Sequence, residues 1–169
     1  YSYNNHDKVI IPAFAVGRTQ EILYCLYLLR QKGKLPDEMP IFVDSPLAIR
    51  ATEVFKEFKD YLDTPEIDLS GNMSALLPNL KFTLSALESQ ALNVMKGPAI
   101  IISASGMCNA GRIQHHLRHN AWRPTASIVF VGYQGVGTPG RKIVDGASSI
   151  RLFNEDVAIK AKVFTIGGF

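Results

Sequence analysis

Cysteine is scarce. Cys25 and Cys108 are the only two in 169 residues, too few for a disulfide framework or a cysteine-rich zinc site. Their apolar surroundings suit reduced side chains in an intracellular protein. Long apolar runs are missing too. None approaches the ~20 residues that cross a bilayer, so no membrane partner is expected. The opening Tyr1-Ser-Tyr-Asn-Asn-His6 has neither a basic nor an apolar segment. No secretory leader is visible there, and a cytoplasmic location is the expectation. Charged residues make up 20% against 47% hydrophobic. That balance excludes intrinsic disorder and fits one packed domain, residues 1–169, burying roughly 70% of its unfolded surface. The net charge of +3 excludes a polybasic tail and by itself names no partner.

Carboxylates are absent from one stretch altogether. Six of them (Glu53, Glu57, Asp60, Asp63, Glu66, Asp68) crowd into a short segment, whereas none occurs from Ser89 to Val144. The acid-free stretch carries Lys96, Arg112, Arg118, Arg123, Arg141 and Lys142, with His115, His116 and His119. It reads either as one positive face for an anionic partner or as a solvated basic helix.

What is present is an alternation of short β-rich runs and helical segments. Lys8–Ala13, Ile41–Asp44, Lys81–Leu84, Ala99–Ser103 and Ser127–Gly132 read as strands, several of them continuous apolar runs suited to burial on both faces. Helices are expected over Gly17–Lys34, Leu47–Leu62, Ser85–Met95, near Arg112–His119, and over roughly Arg141–Asp145. Gly33 is placed to end the first, Ser45-Pro46 to open the second, and Ser85-Ala-Leu-Glu88 forms a capping box. Gly132–Gly140 must be a loop, and Thr64–Asn79 is expected as a surface excursion. Val157–Ile166 alternates like antiparallel edge strands. The pattern predicts an α/β fold: a doubly wound, mostly parallel sheet flanked by helices, with short antiparallel strands near the C-terminus.

In such sheets ligands sit beyond the carboxyl ends of the strands. The residues there are Phe14–Thr19, Asp44-Ser45, Ser103–Met107 and Gly132–Gly135. Gly17-Arg18-Thr19 opens a helix, where free N–H groups favour an anion and Arg18 can add a bidentate contact, or Gly17 simply turns the chain. Ser103–Met107 fits neither a phosphate loop nor a nucleophile elbow. No spacing supports a triad of Ser105, a histidine and Asp44. His115 and His119 share a helix face, but H-E-x-x-H is missing and no acidic ligand is near, so a metal site is not favoured. Asp44, the one carboxylate in the crevice, is either catalytic or, the preferred reading, an anchor for loop N–H groups.

Taken together, Pro12–Glu21, Val43–Ala48, Ser103–Met107, Gly111-Arg112 with His115–Leu117, Phe130–Gln134, Gly137-Thr138 with Gly140-Arg141, and Thr165–Phe169 resemble the β-CASP domain of metallo-β-lactamase-fold nucleases. The closest similarity is to the RNA-directed branch, relatives of the mRNA 3′-end-processing endonuclease, with ribonuclease J more distant. The resemblance implies a Rossmann-like domain that closes as a lid over two zinc ions held elsewhere, where a zinc-bound hydroxide attacks the phosphodiester. This chain has no H-x-H-x-D-H, and the family's Ser-x-His segment would follow Phe169. It therefore looks like an excised lid, without cofactor of its own and inactive in isolation.

The partners implied are single-stranded RNA, the metallo-β-lactamase domain of the same polypeptide and, as one assembly, a homodimer of the parent. Arg18, Ser103, Ser105, Gly106, Met107, Arg112, Tyr133 and Gln134 match positions at or near the family's RNA cleft; no catalytic or metal-binding residue is expected. In that reading Arg18 and the Ser103–Met107 loop hold phosphate or ribose oxygens, and the helix beginning near Arg112 turns its N-terminus to the backbone. Two alternatives stand beside it: an RNA-binding or scaffold module of an inactive family member, and a small-molecule α/β enzyme.

Overall fold

The chain is described by a computed structural model over residues 1–58 and 76–167. Its centre is the strand β1 (Lys8–Pro12), flanked by β4 (Ala99–Ser103) and β5 (Ser127–Val131). Outward from β4 lie β2 (Ile41–Val43) and β3 (Leu80–Phe82); outward from β5 lies β8 (Lys162–Ile166). The order is β3-β2-β4-β1-β5-β8, and every pairing in this sheet is parallel. The register sets Ile10 beside Ile101 and Ile128, so the strands meet as continuous branched apolar runs.

Successive side chains feed opposite faces. Ile10, Ile101 and Ile128 enter one core with Leu92, Ile113 and Leu117; Ile11, Ile100 and Ile102 enter the other with Ile22, Leu23 and Ile49. Helices α1 (Arg18–Gln31) and α2 (Pro46–Glu57) therefore cover one face. Helices α3 (Ala86–Val94), α4 (Ile113–Asn120) and α5 (Pro139–Val144) cover the other. Neighbouring strands β2, β4, β1 and β5 thus send their helices alternately to opposite faces, which parts the loops at the carboxyl edge and opens a crevice there.

The start signals act as expected. The Ser45 hydroxyl accepts from the Ala48 N–H with Pro46 at the first helical position, and Ser85 and Glu88 form a reciprocal capping box. Helix α2 ends at Glu57 with Phe58 as its C-cap; residues 59–62 of the predicted helix, and most of the excursion read at Thr64–Asn79, lie outside the described residues. One expectation is corrected at the C-terminus. The antiparallel pair is β6 (Ser149–Leu152) with β7 (Glu155–Ala158), a hairpin whose turn residues Phe153 and Asn154 take φ of 48° and 64°. The stretch Lys162–Ile166 is instead the parallel edge strand β8. Four of its five residues are exposed and only Val163 is half-buried, as suits an edge strand with a single partner.

Cys25 and Cys108 are unpaired, and burial pushes the Cys108 thiol up to about 12. Among the described residues no helix is long and apolar enough to cross a membrane.

Candidate functional site at the carboxyl edge of the sheet

Asp44 follows β2 directly and has no exposed surface. Its Oδ1 accepts from Thr83 Oγ1 at 2.6 Å and Arg112 Nη1 at 2.7 Å. Its Oδ2 accepts from Ser89 Oγ and faces His116 Nε2, each at 2.6 Å. Its carbonyl takes the Ser103 hydroxyl at 2.8 Å, and its N–H donates to Ile102 O. Burial by itself would push the carboxyl up. The hydrogen bonds from His116, Ser89 and Thr83 outweigh burial and hold Asp44 well below the usual carboxylate range.

One buried anion therefore ties together the ends of β2, β3 and β4 and the first turns of α3 and α4. Arg112 extends the tie, donating from Nη1 to Thr83 O at 3.1 Å and from Nη2 to Leu84 O at 2.8 Å. His116 extends it inward, its Nδ1 lying 2.9 Å from Asn93 Oδ1.

Asp44 does anchor the loops, but through side chains rather than the loop N–H groups expected. Thr83, Ser89 and Asn93 were not singled out by the sequence. No periodicity announces them, because they lie just after β3 and on α3, 39 or more residues from Asp44 or 23 from His116.

A second set of contacts interlocks the loops after β1, β4 and β5. Ala13 N–H donates to Ser103 O at 3.0 Å. The Gln134 amide donates to Gly106 O at 3.0 Å, and the Gly140 N–H to Met107 O at 3.0 Å. A Cβ at Gly140 would stand 2.0 Å from Gln134 Oε1, so the Gln134 side chain would have to shift. Gly111, at φ +85°, is more tightly constrained, since its Cβ would meet the backbone Ala104 O at 2.4 Å. Arg18 lies against Gly132 and bonds Glu21 Oε2 through Nη1 at 2.7 Å.

The eight candidate contact residues thus divide. Arg18, Gly106, Met107, Tyr133 and Gln134 share the β1–β4–β5 crevice. Ser103 and Arg112 belong to the Asp44 network. Ser105 bonds Asn109 Oδ1 at 2.7 Å in an exposed position. The helix expected at Arg112 begins at Ile113, with Arg112 as its N-cap residue and its guanidinium folded back on Asp44.

The acid-free stretch is acid-free only in sequence. Arg112 pairs with Asp44, Arg118 with Glu155, Arg123 with Asp7 and Arg141 with Asp145, every carboxylate coming from outside the stretch. The histidines differ in their surroundings. His116 is buried on Asp44, while the exposed His115 stacks on Phe153 with ring centroids 4.5 Å apart. Among the described residues no three His, Cys, Asp or Glu side chains are grouped to hold a metal ion.

Residues 19–143 match the Beta-Casp domain family. Among similar proteins are "Ribonuclease TTHA0252" of Thermus thermophilus, 39% identical over 165 residues, covering 96% of this chain and 37% of that protein. The "RNase J-like protein" of Methanocaldococcus jannaschii is 36% identical over 162 residues, with 96% and 37% covered. "Transcription termination factor FttA" of Thermococcus kodakarensis is 35% identical over 170 residues, with 96% and 26% covered. The chain therefore spans between about a quarter and two fifths of the length of these relatives.

Proposed function

The chain belongs to the β-CASP domain family, and on that premise we propose that it is the RNA-binding lid of a cytoplasmic, zinc-dependent ribonuclease that hydrolyses phosphodiester bonds. The observation that carries the reading is the carboxyl edge of the sheet. Interlocked loops there surround Arg18, while Phe14, Val16, Tyr133 and Val136 are exposed, the last two by 71% and 86%. Large apolar side chains gathered at one edge suit a surface that another domain covers. An exposed tyrosine beside an arginine and a row of loop backbone suits one unpaired strand, with a base on the ring and a phosphate on the guanidinium. Arg18 pairs with Glu21, whose carboxylate is half exposed.

The described side chains do not fit a pair of zinc ions: His116 is taken up by Asp44, and no third His, Cys, Asp or Glu joins His115 and His119. In this reading the ions belong to a metallo-β-lactamase domain of the same polypeptide, and the lid alone cuts no RNA. Relatives that are much longer than this chain support a second domain.

The test is the affinity of a labelled 12-nucleotide oligouridylate at rising salt. Binding is expected to be weak and to fall steeply with salt, and Arg18→Ala is expected to weaken it several-fold and lower the salt slope by about one. Unchanged affinity in Arg18→Ala removes Arg18 from the site.

A further inference from the structure

Beside the strand-end crevice, α3 and α4 part to form a pocket of about 310 Å3, at the lower end of the range for ligand sites. Gln90 and Asn93 line it from α3, and Arg112, His115 and His119 from the α4 side; no carboxylate lines it. We infer that this pocket is a second contact for single-stranded RNA, taking a phosphodiester and its ribose as the strand leaves the crevice. The inference rests on the function proposed above.

Three observations carry it. First, the lining holds uncommitted donors. Gln90 and the His119 ring make no hydrogen bond among the described residues, and Asn93 commits only its Oδ1, to His116, which leaves its NH2 group. Second, the neighbouring anions are already satisfied. Asp44 is buried with four side-chain partners, and Glu88, which does not line the pocket, accepts from the N–H groups of Ser85 and Leu84. An incoming anion therefore meets amides, imidazoles and a guanidinium rather than a free carboxylate. Third, the His115 ring against Phe153 adds an aromatic surface at the rim. A nucleotide can stack on that surface, whereas an acidic peptide has no use for it. Arg112 joins the two sites: the residue lines the pocket, and its guanidinium closes the Asp44 network at the strand ends.

The test uses the 169-residue chain, a 12-nucleotide oligouridylate, and two substitutions at exposed positions, Gln90→Glu and His119→Gln. The RNA is expected to shift the ring-proton resonances of His115 and His119. Gln90→Glu, which places a carboxylate in the pocket, should weaken binding about threefold to tenfold, and His119→Gln less. Suppose Arg18→Ala weakens binding while both pocket variants bind like the parent and the histidine resonances stay still. The pocket proposal then fails and the crevice reading stands. If the chain has no affinity for the RNA even at low salt, both fall. Shifts produced by an oligoglutamate and not by the RNA also overturn the proposal.

Discussion

Replacing Asp44 by alanine removes the acceptor on which four side chains converge. Arg112 is left with carbonyl partners alone, the Ser89 hydroxyl loses its acceptor, and Thr83 and His116 keep only Val43 O and Asn93 Oδ1, all at buried or nearly buried positions. Removing one member of a buried ion pair costs about 3–5 kcal/mol. For a domain of this size that is a fall in Tm of roughly 6–20 °C. Asp44→Asn keeps the shape. Its oxygen can face Arg112 and Thr83 while its NH2 donates to Ser89 and to a His116 tautomer protonated on Nδ1, so the cost falls to about 1.5–3 kcal/mol.

The pH dependence follows from the same geometry. The folded carboxyl titrates below the unfolded one, so its contribution is fully present above the unfolded value near 4 and is lost as pH falls through the folded value. Urea unfolding between pH 3 and pH 7 measures both effects. The parent should lose stability on acidification more steeply than Asp44→Asn. A loss under about 1 kcal/mol in Asp44→Ala, or identical acid limbs in parent and Asn variant, would refute the claim that this carboxylate holds the strand ends together.

Two further substitutions probe the scaffold. Gly111→Ala must push its Cβ through the Ala104 carbonyl at positive φ, and is expected to cost at least ~2 kcal/mol and to disturb the Ser103–Met107 loop, read by denaturation and by amide exchange of that loop. Lys8 is fully buried, its Nζ donating to the last carbonyls of α3, Leu92 O and Asn93 O, and burial together with Arg123 depresses its ammonium below the ordinary lysine value. Between the folded and unfolded values the unfolded chain binds more protons, so stability should rise with pH through that window, while the neutral amine keeps two donors for the two carbonyls. Lys8→Met should lose this alkaline rise; an equal rise in parent and variant would contradict the assignment.

The sheet was legible because its strands are read by one physical rule. Ala99–Ser103 and Lys8–Pro12 are apolar without a break because both faces are covered, and Ser45-Pro46 and Ser85–Glu88 mark helix starts by local hydrogen bonding alone. Edge strand β8 misled because alternation in sequence carries no information on strand direction, and its largely exposed residues leave no core pattern to read. Of the site, Arg18, Gly106, Tyr133 and Gln134 were legible as strand-end residues. The Asp44 network was not, since its partners come from 39 to 72 residues away and nothing in spacing links them. Arg112 stood out in the sequence only through the family resemblance, and its pairing with Asp44 was not legible there. The charge of the Ser89–Val144 stretch likewise reads differently in space, where carboxylates from elsewhere reach its arginines.

The most direct measurement of the lid reading is a crosslinking map. A 12-nucleotide RNA carrying 4-thiouridine is irradiated with the chain, and the modified peptides are located by mass spectrometry. Crosslinks are predicted in the strand-end loops, at Phe14–Arg18, Ser103–Met107 and Gly132–Gln134. Crosslinks confined to the opposite edge of the sheet, around Gln31–Pro40 and the start of β4, would contradict the account.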